Sequence, residues 1–99
     1  MIVVRNVFRL KFGKAREAIA LVKESVAIHH RAGAQFSARI MTDLTGPFYT
    51  IVLEISIANL AYLETDMPRL MTSPEWQANY EKLSALVESG HREMYRLVE

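Results

Sequence analysis

The spacing of hydrophobic residues changes repeatedly along this chain of 99 residues, and these changes restrict the possible folds more than any other feature. In residues 2–12, 36–44 and 48–57, hydrophobic side chains recur at every second position, which is typical of β-strands with one buried face. In residues 14–32 they recur every three or four positions, which is typical of an amphipathic α-helix. The chain therefore predicts a strand, a helix and two further strands in that order.

The end of the first helix is marked by Gly33, a residue suited to the left-handed conformation that stops a helix. The turn-forming sequence "DLTGP", Asp43 to Pro47, separates the second and third strands and predicts an antiparallel hairpin. One stripe of the first helix is expected to face the sheet, namely Ala15, Ile19, Val22, Val26 and His29.

The C-terminal half predicts a short helix, a longer helix and a closing strand. Leu60, Leu63 and Met67 are expected on the inner side of the short helix, which Pro68 should kink or break. The next helix begins clearly, because "SPE" supplies an N-cap at Ser73, a proline at the first helical position and an acidic first turn. It is expected to reach about residue 89 and to stop at Gly90, and residues 91–99 should form the last strand.

The resulting order is β-α-β-β-α-β in one domain, residues 1–99. Two βαβ-like halves of this kind form an α+β, ferredoxin-like fold, with a four-stranded antiparallel sheet and helices on one face.

Composition excludes several classes of function. Twelve basic and eleven acidic residues give a net charge of +1, which argues against a nucleic-acid partner and an anionic membrane partner. Without cysteine there is no disulfide and no thiolate nucleophile, so we expect a cytoplasmic protein. Arg5 and Arg9 interrupt the apolar N-terminal run, so we expect neither a signal peptide nor a membrane span. No cluster of ligating residues predicts a metal, and no Gly-rich phosphate loop occurs, so we expect no cofactor.

The face of the sheet away from the helices should mix apolar and charged side chains. Such a mixture fits a face covered by a second copy of the chain, with Arg and Glu paired across the contact, and predicts a two-fold homodimer. The alternative is a monomer with a partly apolar sheet face. The residues expected there are Val3, Arg5, Val7, Arg9, Arg39, Met41, Thr50, Val52, Glu54, Met94, Arg96 and Val98.

Two polar residues are candidates for a site between sheet and helices. Asn6 interrupts the apolar face of the first strand, where it either lines a pocket or is satisfied by the backbone or by His29. His29 lies at the end of the first helix, where it either caps or packs, or faces a pocket as a general base. His30 points about 100° away from His29, so the pair cannot chelate one metal well.

Aromatic residues of the last helix form the second candidate feature. Trp76, Tyr80, Leu83 and Val87 share one stripe, which is either core or, if a cavity exists, its aromatic wall. His91 and Glu93 should share one face of the closing strand, as exposed groups or as a dimer contact.

Three segments carry a resemblance to a known superfamily: "VFRLKFGKAREAIALVKE", "TSPEWQANYEKLSALVESG" and "HREMYRLVE". The chain resembles the dimeric α+β barrel proteins, and within them the small antibiotic-biosynthesis-monooxygenase-like and NIPSNAP-like domains. The resemblance implies two ferredoxin-like protomers packed sheet to sheet, with any ligand held between sheet and helices inside each protomer.

The resemblance implies two functions. The first is a cofactor-independent monooxygenase-like protein that binds or oxidises a small aromatic or apolar molecule, with His29 acting on the substrate, Asn6 and Tyr80 hydrogen-bonding it and Trp76 stacking. The second is a non-catalytic, NIPSNAP-like dimeric binding or accessory module. Haem-degrading relatives carry an Asn similar to Asn6, but Tyr80 stands where they place a ligating His and Trp76 does not match their Trp, which argues against haem degradation.

Overall fold

The computed structural model describes all 99 residues as four strands and three helices. The elements are β1 Ile2–Leu10, α1 Ala15–Arg31, β2 Ser37–Thr42, β3 Thr50–Ile57, α2 Leu60–Leu70, α3 Pro74–Ser84 and β4 Val87–Arg96. The strands form one antiparallel sheet in the order β2-β3-β1-β4, with all three pairings antiparallel. This topology confirms the predicted ferredoxin-like α+β fold and the β2–β3 hairpin.

The helix-facing side of the sheet carries the apolar side chains of β1 and β3. Ile2, Val4 and Leu10 are buried there, and β3 contributes further isoleucines. The core divides into two clusters. One lies towards α2 and contains Ile2, Val4, Ile55, Ile57 and Tyr62, and the other lies between the sheet, α1 and α3 and contains Leu10, Ala18, Val22, Ile51 and Leu83.

Helix α1 ends as predicted, because Gly33 follows it with φ = 91°, a conformation that side chains with a Cβ rarely adopt. Its buried face differs from the predicted stripe, with which it shares only Val22 and His29. The buried residues are Ala18, Val22, Ser25, Ile28 and His29. Since α1 packs against α3 as well as the sheet, its buried face is turned towards both neighbours.

The prediction for α2 was wrong about Leu60, and of the two alternatives for Pro68 the structure excludes a break. Pro68 lies inside the helix, which continues to Leu70, and the break falls between Met71 and Ser73. Leu60 is exposed, whereas Tyr62 is buried and accepts a hydrogen bond from the backbone N–H of Gln35 at 2.9 Å. Tyr62 therefore ties α2 to the segment that follows α1.

The predicted end of the last helix and start of the last strand were also wrong. Helix α3 ends at Ser84, and β4 begins at Val87, which pairs with Leu10 of β1. Gly90 lies within β4 rather than at a helix end, and a Cβ there would come within 3.0 Å of the carbonyl oxygen of Val7. Strand pairing with the full length of β1 overrides the helical spacing that links Leu83 to Val87.

The register of β4 also corrects its predicted faces. Met94 pairs with Val4, and Arg96 with Ile2, so both lie on the helix-facing side. The outer side carries His91, Glu93 and Tyr95, which pair with Val7, Arg5 and Val3. Val98 lies beyond the strand. Because both faces of β4 mix apolar and polar residues, its composition does not indicate which side is buried.

Candidate functional site

A cleft of about 860 Å³ lies between the helix-facing side of the sheet and the three helices. Fifteen of its 23 lining residues are hydrophobic. They come from both core clusters, with Val4 and Ile55 from one and Val22 and Leu83 from the other. The cleft therefore lies between the two clusters, and Leu53, which packs against both, also lines it.

Residues with small side chains line part of this space, including Ser25 on α1 and Ser89 and Gly90 on β4. Tyr80 is 44% exposed and Met94 is 53% exposed although both line the cleft, so the cleft opens to solvent beside α3 and β4. The remaining lining residues are Asn6, Phe8, Val26, His29, Phe36, Leu63, Met67, Pro68, Met71, Trp76, Val87, His91 and Arg92.

Three aromatic rings form a stack along one wall. The rings of Trp76 and Tyr80 are stacked with centroids 5.0 Å apart, because the two residues are one helical turn apart on α3. The imidazole of His29 stacks on Trp76 with centroids 5.3 Å apart. The structure thus brings together three of the four residues proposed from the sequence, one from α1 and two from α3. The fourth residue, Asn6, lines the cleft from β1. Val87, which belongs to the predicted stripe of the last helix, also lines it.

The imidazole of His29 is buried against the ring of Trp76. Its side chain is only 5% exposed, and its buried Nδ1 has no hydrogen-bond partner. Burial, and to a smaller extent the neighbouring His30, lowers the pKa of His29 below 6.5. The imidazole is therefore neutral at neutral pH and retains a nitrogen that can accept or donate a proton.

His30 has a structural role instead. Its Nε2 donates a hydrogen bond to the carbonyl oxygen of Phe36 at 2.9 Å, and its ring also packs against that of Phe36. A carbonyl only accepts, so this contact requires the proton on Nε2. The adjacent histidines therefore diverge, as expected from their separation on the helix.

Asn6 is satisfied by a residue that the sequence did not suggest. Its Oδ1 accepts a hydrogen bond from Nε of Arg92 at 2.8 Å, and not one from His29. The two residues face each other in the β1–β4 register. The predicted last strand began at residue 91 and placed Arg96 on the outer face. Arg92 lies on the same face of the strand as Arg96, so its pairing with Asn6 was not predictable from the sequence.

Asn79 is the polar residue of α3 that sequence reasoning missed. It is buried, and its Nδ2 donates hydrogen bonds of 2.8 Å to the carbonyl oxygen of Leu21 and to Oγ of Ser25. These bonds tie α3 to α1 behind the ring stack. The available signal was spacing, because Trp76, Asn79 and Leu83 also lie on one helical face.

The opposite face of the sheet carries a network of charges within one chain. Glu54 is buried between Arg5, at 2.9 Å, and Arg39. Hydrogen bonds from Arg39 and then Arg5 hold the pKa of Glu54 below its usual range. Arg5 also lies 3.7 Å from Glu93. These residues pair between strands of the same sheet, and a pairing of Arg with Glu across a dimer contact stays a prediction.

His91 and Glu93 share one face of β4, as predicted, and that face is the outer one, with 3.5 Å between Nε2 and Oε2. The chain contains no group of three or more His, Cys, Asp or Glu side chains placed to hold a metal ion. None of its helices is both long and apolar enough to cross a membrane.

The fold and cleft define a small ferredoxin-like α+β domain with an apolar site between sheet and helices. The NIPSNAP family model matches residues 4–99, and the chain belongs to the NIPSNAP family. No curated protein matches the sequence.

Solved structures similar to this chain include other members of that family. A NIPSNAP domain protein from Burkholderia xenovorans is 18% identical, with a TM-score of 0.86 over 99% of this chain and 95% of the other. A NIPSNAP family protein from Agrobacterium tumefaciens is 24% identical, with a TM-score of 0.85 over 99% of this chain and 93% of the other. An antibiotic biosynthesis monooxygenase is 14% identical, with a TM-score of 0.77 over the full length of both chains. These similarities confirm the ferredoxin-like fold of the single chain.

Proposed function

We propose that this NIPSNAP domain binds a small molecule with a planar, largely apolar body in the cleft between sheet and helices. The observation that carries the proposal is the cleft itself, with its volume of about 860 Å³ and its mainly hydrophobic lining. Sites for small molecules typically enclose roughly 300–1,000 Å³ and combine an apolar wall with a few polar groups.

Three polar side chains supply such groups. Asn6 lines the cleft from β1, the unpartnered ring of His29 lines it from α1, and Tyr80 contributes a hydroxyl from α3. Trp76 already stacks against both His29 and Tyr80, so a planar ligand is expected to contact the edges of the stack rather than to separate the rings.

Trp76 provides a direct test because it is the only tryptophan in the chain. Its indole N–H gives a single, well-separated signal in a ¹H–¹⁵N correlation spectrum. Addition of 2-naphthol should shift that signal in a saturable manner, because the ligand enters beside the ring.

The control for this experiment fills the cleft. Val26→Phe adds volume at a lining position, whereas Ala20→Phe adds the same ring on the exposed side of α1. The first variant should weaken binding of 2-naphthol by about tenfold or more and the second should not. Equal binding by both variants would place the ligand elsewhere and refute the proposal.

A second function is favoured by one observation, the buried and neutral His29. We propose that His29 acts as a general base on a weakly acidic C–H or O–H of the bound molecule, whose anion then reacts with O₂. For an anthrone-like substrate the balanced reaction converts the CH₂ group and O₂ to a carbonyl group and water, without a cofactor. The fold similarity to a monooxygenase supports the direction of this proposal and says nothing about the substrate.

Oxygen uptake in the presence of anthrone tests this reaction. The wild-type protein should consume O₂ faster than the uncatalysed background, and His29→Phe should lose most of that rate. His30→Gln, which replaces a histidine that does not line the cleft with a side chain that can still donate to Phe36, should keep it. Binding of 2-naphthol without any oxygen uptake would favour the alternative function, a non-catalytic binding or accessory module.

We also propose that two copies pair through the outer face of the sheet. Half-buried Val3, Val7 and Val52 lie on that face together with Met41 and Tyr95. The carboxylates of Glu54 and Glu93 are matched there by Arg5 and Arg39. Because these four charges are balanced within one chain, a second copy can cover them without isolating any of the four.

A further inference from the structure

We infer that the ligand of this cleft carries a carboxylate group and that Arg92 and Asn6 bind it. The inference rests on the proposed binding function and adds the chemical class of the ligand, which is a small acid with an apolar body. Three features of the structure support it.

The first feature is the charge of the cleft. Among its lining residues, Arg92 is the only Lys, Arg, Asp or Glu. No carboxylate lines the cleft to neutralise this guanidinium, although the chain has eleven acidic residues. A molecule that fills the cleft therefore meets one positive charge at the edge of an apolar surface.

The second feature is the absence of an ion-pair partner for Arg92. Arg5, Arg31 and Arg39 each lie within 4 Å of a glutamate. Arg92 has no such contact, and its single hydrogen bond runs from Nε to Oδ1 of Asn6. Both terminal nitrogens of its guanidinium thus remain free to donate, which is the arrangement that binds a carboxylate in a bidentate manner.

The third feature is the orientation that this bond gives to Asn6. An arginine only donates, so the amide of Asn6 must present its oxygen to Arg92 and its NH₂ group elsewhere. That NH₂ group has no partner within the chain, and Asn6 lines the cleft. Asn6 and Arg92, opposite each other on β1 and β4, therefore offer donors from two adjacent strands.

The number of charges favours a carboxylate over a phosphate. One guanidinium compensates a single negative charge, and no second Lys or Arg lines the cleft to compensate a phosphate dianion. The remaining hydrophobic lining fits the body of the molecule. Arg92 is exposed, so the acid is expected to lie with its carboxylate at the cleft mouth and its apolar part inside.

Two probes that differ only in the head group test the inference. Calorimetric titrations compare 2-naphthoate with neutral 2-naphthamide on the wild-type protein and on Arg92→Gln. The matched control is Arg96→Gln, an exposed arginine on the same face of β4 that does not line the cleft. The removal of a partly solvated charge-assisted contact is expected to weaken binding of 2-naphthoate about tenfold in Arg92→Gln, with 2-naphthamide changed less than about twofold.

The expected result is that wild type and Arg96→Gln prefer the acid to the amide and that Arg92→Gln loses the preference. Equal affinity of the wild-type protein for the two probes would overturn the carboxylate inference and leave the proposed binding function intact. A preference that survives in Arg92→Gln would also overturn it. If neither probe binds and 2-naphthol does not shift the Trp76 signal, the proposed function fails and the inference fails with it.

Discussion

His29 shows at the scale of one residue how burial sets chemical state. Its ring is stacked on Trp76 and nearly inaccessible, and its Nδ1 has no partner. A charged imidazole would lose hydration there without compensation, so the neutral form is favoured. This single environment underlies both the proposed base and a measurable dependence of stability on pH.

We predict that the protein loses stability as the pH falls below about 6.5 because of His29. Above about pH 6.5 the ring is neutral in both the folded and unfolded states, and its contribution to the free energy of unfolding is fully present. As the pH falls towards the lowered pKa of the folded state, the unfolded chain takes up a proton that the folded chain does not, so stability falls. Urea denaturation across this range measures the slope.

In His29→Phe this slope should be shallower than in the wild-type protein, whereas Ala20→Phe, which adds the same ring at an exposed position of the same helix, should leave it unchanged. Identical slopes in wild type and His29→Phe would show that folding does not lower the pKa of His29.

The second prediction at the scale of one residue concerns Asn79. Its side-chain amide bridges the carbonyl oxygen of Leu21 and the hydroxyl of Ser25 inside the protein. Asn79→Ala removes both bonds and should lower the free energy of unfolding by about 2 kcal/mol, with Ser25→Ala costing about half as much. Gln77→Ala, which removes an exposed amide from the same helix, serves as the control in urea denaturation and should cost under about 0.5 kcal/mol.

Among the elements, α3 positions most of the aromatic wall, and its first turn is therefore important. Ser73 accepts a hydrogen bond from the backbone N–H of Trp76 at 3.2 Å, and Pro74 and Glu75 follow in the first turn. Ser73 therefore begins the helix and also holds the backbone of Trp76, whose ring lines the cleft.

Removal of this cap should lower the stability of the protein and change the environment of the Trp76 ring. Ser73→Ala is predicted to destabilise the protein by about 1 kcal/mol, and Ser73→Asp should largely restore stability because Asp is an equally good N-cap. Ser84→Ala, near the other end of α3, removes an exposed hydroxyl and should change stability little. Thermal denaturation measures stability, and the Trp76 indole signal should shift in Ser73→Ala; an unchanged stability in that variant would contradict the prediction.

At the scale of the whole molecule, the sheet has one face covered by helices and one that the chain leaves open. The open face carries balanced charges and half-buried valines. We predict a homodimer, with a mass about twice the 11.3 kDa of one chain in light scattering at micromolar concentration.

Val52→Lys places a charge at the centre of the open face and should give the monomer mass. Ala20→Lys places the same charge on the exposed side of α1 and should leave the dimer intact. A wild-type mass of 11.3 kDa would rule out pairing through the sheet.

Local patterning was sufficient to predict the order of the elements and the fold, because strands with one buried face and amphipathic helices carry their own periods. It also selected Asn6, His29, Trp76 and Tyr80, which line the cleft, because an amide and an imidazole interrupt apolar faces and the two aromatic residues share one helical stripe. Caps such as Ser73 and stops such as Gly33 were predictable for the same reason, because they act on the backbone within a few residues.

Tertiary structure decided which groups those residues contact. The register of β4 depends on pairing with β1, far away in the chain, and only that pairing places Arg92 against Asn6 and Met94 on the helix side. The packing of α3 on α1 buries Asn79 and turns Tyr80 partly to solvent. The cleft lies between two core clusters built from different segments, and no local pattern encodes a space between segments that are remote in sequence.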